Sequence, residues 1–160
     1  MSLGLLTWST AEFGYARGLM DADQLAERAT SELMKAPHPD EDLSVLAMAE
    51  TADQEDIDDA LSRLAARVER PTDDNLLKRW LLGHLLHLSD EGLDDEALLD
   101  ALELAYAQFG YPEELRGASR YETPELSRAE HVQIGTKGAS PIAVLPRAIS
   151  RLQRELAVGA

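Results

Sequence analysis

His84 and His87 are the residues of this sequence whose type and spacing come closest to metal chemistry. Three apart on a helix, two imidazoles share one face and could hold one zinc ion. A metal-dependent hydrolase would need a third ligand, such as His131 or a nearby acid, brought in from elsewhere. No HExxH stands in the chain. The sequence favours the other use of the pair, as partly buried rings whose nitrogens are satisfied by backbone or carboxylates. A dense acid run, Asp53, Glu55, Asp56, Asp58 and Asp59, superficially suggests calcium. A calcium loop needs alternating acids, a central glycine and a distant glutamate, and this run has no glycine. It reads as the solvated first turns of a helix. Paired carboxylates for hydrolysis occur in any protein this acidic, so they assign nothing. No GxSxG elbow holds a serine, and Gly135-Thr136-Lys137-Gly138 lacks the spacing of a phosphate-binding loop. No catalytic residue, metal or cofactor is expected.

The elements that position these groups are helices. Leu76, Leu77, Trp80, Leu81, Leu82, Leu85, Leu86 and Leu88 wrap most of a helical circumference, the mark of a buried helix. Thr72, Asp73 and Asp74 offer it N-terminal caps, and Gly92 an exit. Asp94 and Asp95 open a second helix with Leu98, Leu102, Ala105, Tyr106 and Phe109 on one stripe. Gly110 and Pro112 stop it. The acidic turn between them favours antiparallel packing of the two. Upstream, Ser9 and Glu12 have capping-box spacing before Phe13 and Tyr15. Asp21 caps a helix with Leu25, Ala29 and Leu33 inward and Ala26 and Met34 beside them. Pro37-His38-Pro39 ends it. Asp40 starts a third helix with Leu43 and Leu46 inward. Ile57, Leu61, Leu64, Ala65 and Val68 form the stripe of a fourth. Trp8, Phe13, Tyr15 and Trp80 read as core. Residues 57–61 resemble 93–98, a period suited to helical hairpins, although amphipathic helices resemble one another by construction.

Residues 116–140 form a loop-rich segment with a turn expected over 124–129. A last helix over 141–158, introduced by Pro141 and Pro146, has Leu145, Ile149, Leu152 and Leu156 as its seam and Arg147, Arg151 and Arg154 outside. The expected fold is all-α: one domain, 1–160, of six or seven helices stacked as antiparallel hairpins.

The chain has 160 residues, no cysteine and a formal net charge of -15. Charge is uneven: residues 1–115 carry 26 acids and 8 bases, whereas residues 116–160 carry 4 acids and 7 bases. Such a body repels nucleic acid and anionic membranes and attracts basic proteins. Plain solubility is the competing use of the same charge. Neither a signal peptide nor a long apolar run is seen, and the absence of cysteine fits a reducing compartment, so a cytoplasmic location is expected.

Three pieces together resemble a known family. They are Thr7-Trp8 with Phe13-Gly14-Tyr15 and Gly18-Leu19-Met20-Asp21, the Lys78-Arg79-Trp80 helix, and Tyr106-Ala107-Gln108-Phe109-Gly110-Tyr111-Pro112-Glu113-Glu114 running on to Arg120-Tyr121 and Pro124. Their order and spacing are similar to those of the bacterial domain of unknown function 2247 proteins. The likeness spans most of the chain up to Pro124. It implies a small, cytoplasmic, helical bacterial protein and supplies no catalytic residues. It also implies kinship with proteins that often act as immunity partners of toxins.

The function expected is therefore a non-enzymatic binder, an immunity protein that neutralises a basic toxin domain. Its contacts are expected at Asp53, Glu55, Asp56, Asp58, Asp59, Asp90, Glu91, Asp94, Asp95, Tyr111, Arg120 and Tyr121. The alternative is a helical adaptor or self-associating scaffold, binding through apolar surface.

Overall fold

A computed structural model of the chain describes residues 7–68, 70–117 and 143–158. The fold is all-α. Among the described residues there are seven α-helices, one 3-10 turn and no strand. The helices are α1 (Trp8–Ala16), α2 (Ala22–Leu33), α3 (Glu41–Leu46), α4 (Gln54–Ala65), α5 (Asp73–Asp90), α6 (Asp95–Gln108) and α7 (Val144–Val158). The 3-10 turn, Glu113–Leu115, lies between α6 and α7. The chain divides into two compact units, with the division between Trp80 and Leu81, inside α5.

In the first unit, α1 packs on α4, α2 on α3, and α3 on α4. Leu25, Leu46, Leu61, Leu64 and Leu76 are fully buried. Small residues let α1 approach α4 closely: Ser9 is buried, and its hydroxyl donates to the Ala65 carbonyl at 3.3 Å. The α1 cap is Thr7, whose hydroxyl oxygen accepts the Thr10 N–H at 3.2 Å, so the cap falls two residues before the Ser9 expected from sequence. Glu12 is accordingly free to pair with Arg70 at 3.1 Å. A true capping box does exist, at Asp21 and Gln24. Trp80 is buried across α1: its Nε1–H donates to the Thr10 carbonyl at 2.7 Å. Phe13 is core, but Trp8 and Tyr15 are only half-buried. The Trp8 Nε1–H donates to Glu32 at 2.9 Å, and the Arg28 guanidinium sits 4.4 Å from the Trp8 ring centre. Met34 and Val68 are 84% and 61% exposed, not inward as their apolar character suggested. Both lie past the last residue of their helix, where the 3.6-residue period no longer dictates direction.

α3 has only six residues. It is fastened at its start by Asp40, whose carboxylate accepts the Leu43 N–H at 3.2 Å. It is fastened to α4 by ion pairs. Arg67 reaches Asp40 at 2.5 Å and Asp42 at 2.6 Å, and Arg63 reaches Asp42 at 2.7 Å. Asp42 is buried.

In the second unit, Leu85, Leu102, Ala105, Leu115 and Leu152 are fully buried. The His84 ring lies against Phe109, 5.8 Å between centroids, which brings α5 beside the end of α6. α7 packs on the 3-10 turn, with Leu145, Ala148 and Leu152 buried; Ile149 and Leu156 are only half-buried. It starts at Val144, so Pro146 lies inside its first turn rather than ahead of it. That is tolerated because the first turn's N–H groups have no intrahelical acceptor to lose. Arg147, Arg151 and Arg154 are exposed as expected, and Arg151 reaches Glu113 at 3.5 Å. The resemblance between residues 57–61 and 93–98 is not structural. The first lies inside α4, whereas Leu93 and Asp94 precede α6.

Candidate functional site

The first acidic stretch occupies a helix start, where carboxylates meet the positive end of the helix dipole, whereas the second runs from the end of α5, at Asp90 and Glu91, to the start of α6. Asp53 stands at the N-cap position of α4 without a capping side-chain bond, and Glu55 and Asp56 occupy its first turn. All three are exposed. One turn on, Asp58 accepts the Gln54 Nε2–H at 2.8 Å, and Asp59 lies 3.8 Å from Arg63. Asp58 and Asp59 line an open groove of about 790 Å³ with Glu12, Tyr15, Ala16, Gln54, Leu61 and Ser62. The Tyr15 hydroxyl donates to Gln54 Oε1 at 3.1 Å, so Tyr15, Gln54 and Asp58 form a hydrogen-bonded chain along it. Glu12, Tyr15 and Gln54 were not foreseen as site residues. Their signal was present only as spacing: Glu12 and Tyr15 are three apart, Gln54 and Asp58 four apart, so each pair shares a helix face.

The second acidic stretch is the α5–α6 turn. Asp90, Glu91, Asp94, Asp95 and Glu96 are all exposed. Asp94 has a structural task, accepting the Ala97 N–H at 2.9 Å as the cap of α6. Gly92 supplies the left-handed backbone of the turn at φ +65°. The run 53–59 and this turn belong to different units.

Tyr111 ends α6. The Gly110 N–H donates to the Ala107 carbonyl at 3.2 Å and the Tyr111 N–H to the Tyr106 carbonyl at 2.8 Å. Those two bonds are the Schellman pattern of a helix C-terminus. The Tyr111 ring stands edge-on to Tyr106, 5.1 Å away and inclined at 86°, and Tyr111 is 68% exposed. Arg120 and Tyr121, the remaining expected contacts, lie outside the described residues, as do His131 and the turn expected over 124–129.

The two histidines diverge in use. His84 is half-buried against Phe109, and burial pushes its pKa down, with the charge of His87 adding to the effect and that of Glu91 opposing it. His87 is exposed, against expectation, because it sits at the end of α5, where its Nε2 reaches Glu91 at 3.2 Å. Among the described residues no three His, Asp or Glu side chains converge as a metal site would require. Among them, too, no helix is long and apolar enough to cross a membrane.

What fold and surface define together is an all-α protein with clusters of exposed acids at helix ends. The chain belongs to the bacterial family described as "Uncharacterized protein conserved in bacteria", domain of unknown function 2247, whose model matches residues 2–135. No curated protein and no solved structure matches it.

Proposed function

We propose that this chain is a non-enzymatic, cytoplasmic protein-binding module, an immunity-type protein that neutralises a basic toxin domain by covering it with an acidic surface. The observation that carries the reading is the α5–α6 turn. Five exposed carboxylates fall within seven residues there, inside a stretch, 81–115, that holds nine acids and no lysine or arginine. A field of one sign speeds the encounter with a basic protein and repels nucleic acid. Inhibition would be steric and electrostatic.

A second reading, an adaptor or self-associating scaffold, is favoured by the exposed Met34, Met48, Val68 and Leu104. Calorimetry against the protein encoded immediately upstream, at low and high salt, separates the two. Tight binding that weakens steeply with salt, together with protection of cells producing the partner, supports the immunity reading. Salt-indifferent binding supports the adaptor, and absence of binding leaves the acids as solubilising charge.

A further inference from the structure

We infer that the Tyr106–Tyr111 corner is the seat for an arginine side chain of a basic partner protein, an inference that rests on the function proposed above. Tyr111 adopts φ +62°. That left-handed conformation costs a side chain with a Cβ free energy that glycine does not lose and asparagine loses less. The Schellman pattern does not require it, because Gly110, at φ +74°, already supplies the left-handed residue. Pro112 also disfavours it, since a residue before proline is pushed toward extended backbone. Tyr111 therefore opposes two local preferences at once.

Burial does not repay this. Tyr111 is 68% exposed, and its ring stands edge-on to Tyr106. The geometry instead sets two phenol rings at a right angle, with one of them largely in solvent. Aromatic faces attract cations through the ring quadrupole. The neighbouring sequence leans toward attracting the same sign of charge: Glu103 lies one turn before Tyr106 on α6, and Glu113 and Glu114 follow Pro112, against one base, Arg116, on the other side. Glu113 already accepts an arginine of this chain, Arg151, at 3.5 Å. Guanidinium suits an aromatic corner better than ammonium does, because it is planar, weakly hydrated and stacks on rings. Tyrosine and arginine are also the residue types that dominate binding hot spots.

The test is a titration of the full chain with tri-arginine at low salt, followed by NMR of the tyrosine rings, with tri-citrulline as the uncharged control. Tri-arginine is expected to shift the Tyr106 and Tyr111 ring signals, and tri-citrulline to leave them in place. Tyr111→Asn is expected to weaken tri-arginine binding about 3- to 10-fold while the melting temperature holds or rises, because asparagine tolerates the left-handed backbone. Tyr111→Gly serves as the second variant, since glycine adopts this φ without strain. Unchanged tri-arginine affinity in both variants overturns the inference, and so does a ring shift of equal size with tri-citrulline. Should the upstream-encoded protein bind in a salt-dependent way while Tyr111→Asn has no effect on either ligand, the seat is wrong and the acidic-surface function stands. If that protein does not bind at all, the function itself fails.

Discussion

The indole of Trp80 lies against the backbone of Gly14, so close that a Cβ at Gly14 would clash with the ring, 2.7 Å from Nε1. The same indole donates to the Thr10 carbonyl on α1. Glycine at position 14 is thus a packing requirement. Gly14→Ala gains up to ~1 kcal/mol of helix propensity. It forces Trp80 out of place, an overpacking that costs about 1–3 kcal/mol or more. Net destabilisation is expected, read as a lower urea midpoint. A stabilised Gly14→Ala variant would show that the Trp80 indole can give way at this contact.

The α3–α4 ion pairs give a second prediction. The Arg67 guanidinium holds the Asp40 carboxyl below the usual carboxylate range, against the opposing effect of burial. A depressed carboxylate contributes stability that is present above its unfolded pKa and lost as pH falls through its folded one. Asp40→Asn keeps a good cap but removes the pair. It should lower stability by about 0.5–1 kcal/mol near neutral pH, as befits a partly exposed pair. The difference from the parent should close in acid. A gap that persists at the lowest pH where the protein remains folded would assign the effect to the cap.

His84 gives a dependence of the same sign in a higher pH window. Its folded pKa is lowered, chiefly by burial. The unfolded chain then binds the proton more readily, so stability is full above the ordinary histidine pKa and falls as pH drops through it. Thermal melts from about pH 7.5 down to about 5 should show this slope. In His84→Phe the histidine's share of the slope should vanish, leaving the carboxylates' share. An identical slope in the variant would exclude His84 as its source.

The α5–α6 turn separates structural from functional carboxylates. Asp94→Ala should cost about 1 kcal/mol, because it removes the α6 cap. Converting Asp90, Glu91, Asp95 and Glu96 to their amides should leave the melting temperature nearly unchanged and slow association with the upstream-encoded protein about 10-fold or more at low salt. The two rates should converge at high salt. Stopped-flow mixing measures this, and equal rates at low salt would remove the turn from the interface.

The helices were legible in the sequence because caps and apolar periods are local. Asp21, Asp40 and Asp94 cap as their positions suggest, and Gly92 turns where a glycine is needed. The α1 start was misread because Thr7 and Ser9 are both good caps. Only the burial of Ser9 against Ala65 decides between them, and that contact spans 56 residues. The groove was hidden for the same reason: its two walls, α1 and α4, lie far apart in sequence. The pieces that carried the family resemblance prove to be joints. Gly14 and Trp80 meet, and Tyr106, Gly110 and Tyr111 close the end of α6. A motif could mark these residues, but it could not say that they touch.

A six-residue helix such as α3 cannot hold itself in water, where isolated helices are marginal below about 12–15 residues. Its amide protons are therefore shielded only while α3 stays packed on α2 and α4, with Leu43 and Leu46 buried and Asp40 and Asp42 clasped by the arginines of the α4 end. In a hydrogen-exchange experiment, Ala47 N–H, bonded to Leu43, should exchange no more slowly than the inner amides of α4. During refolding it should gain protection only after them. The shortest helix thus serves as a clock, recording the moment its longer neighbour has settled.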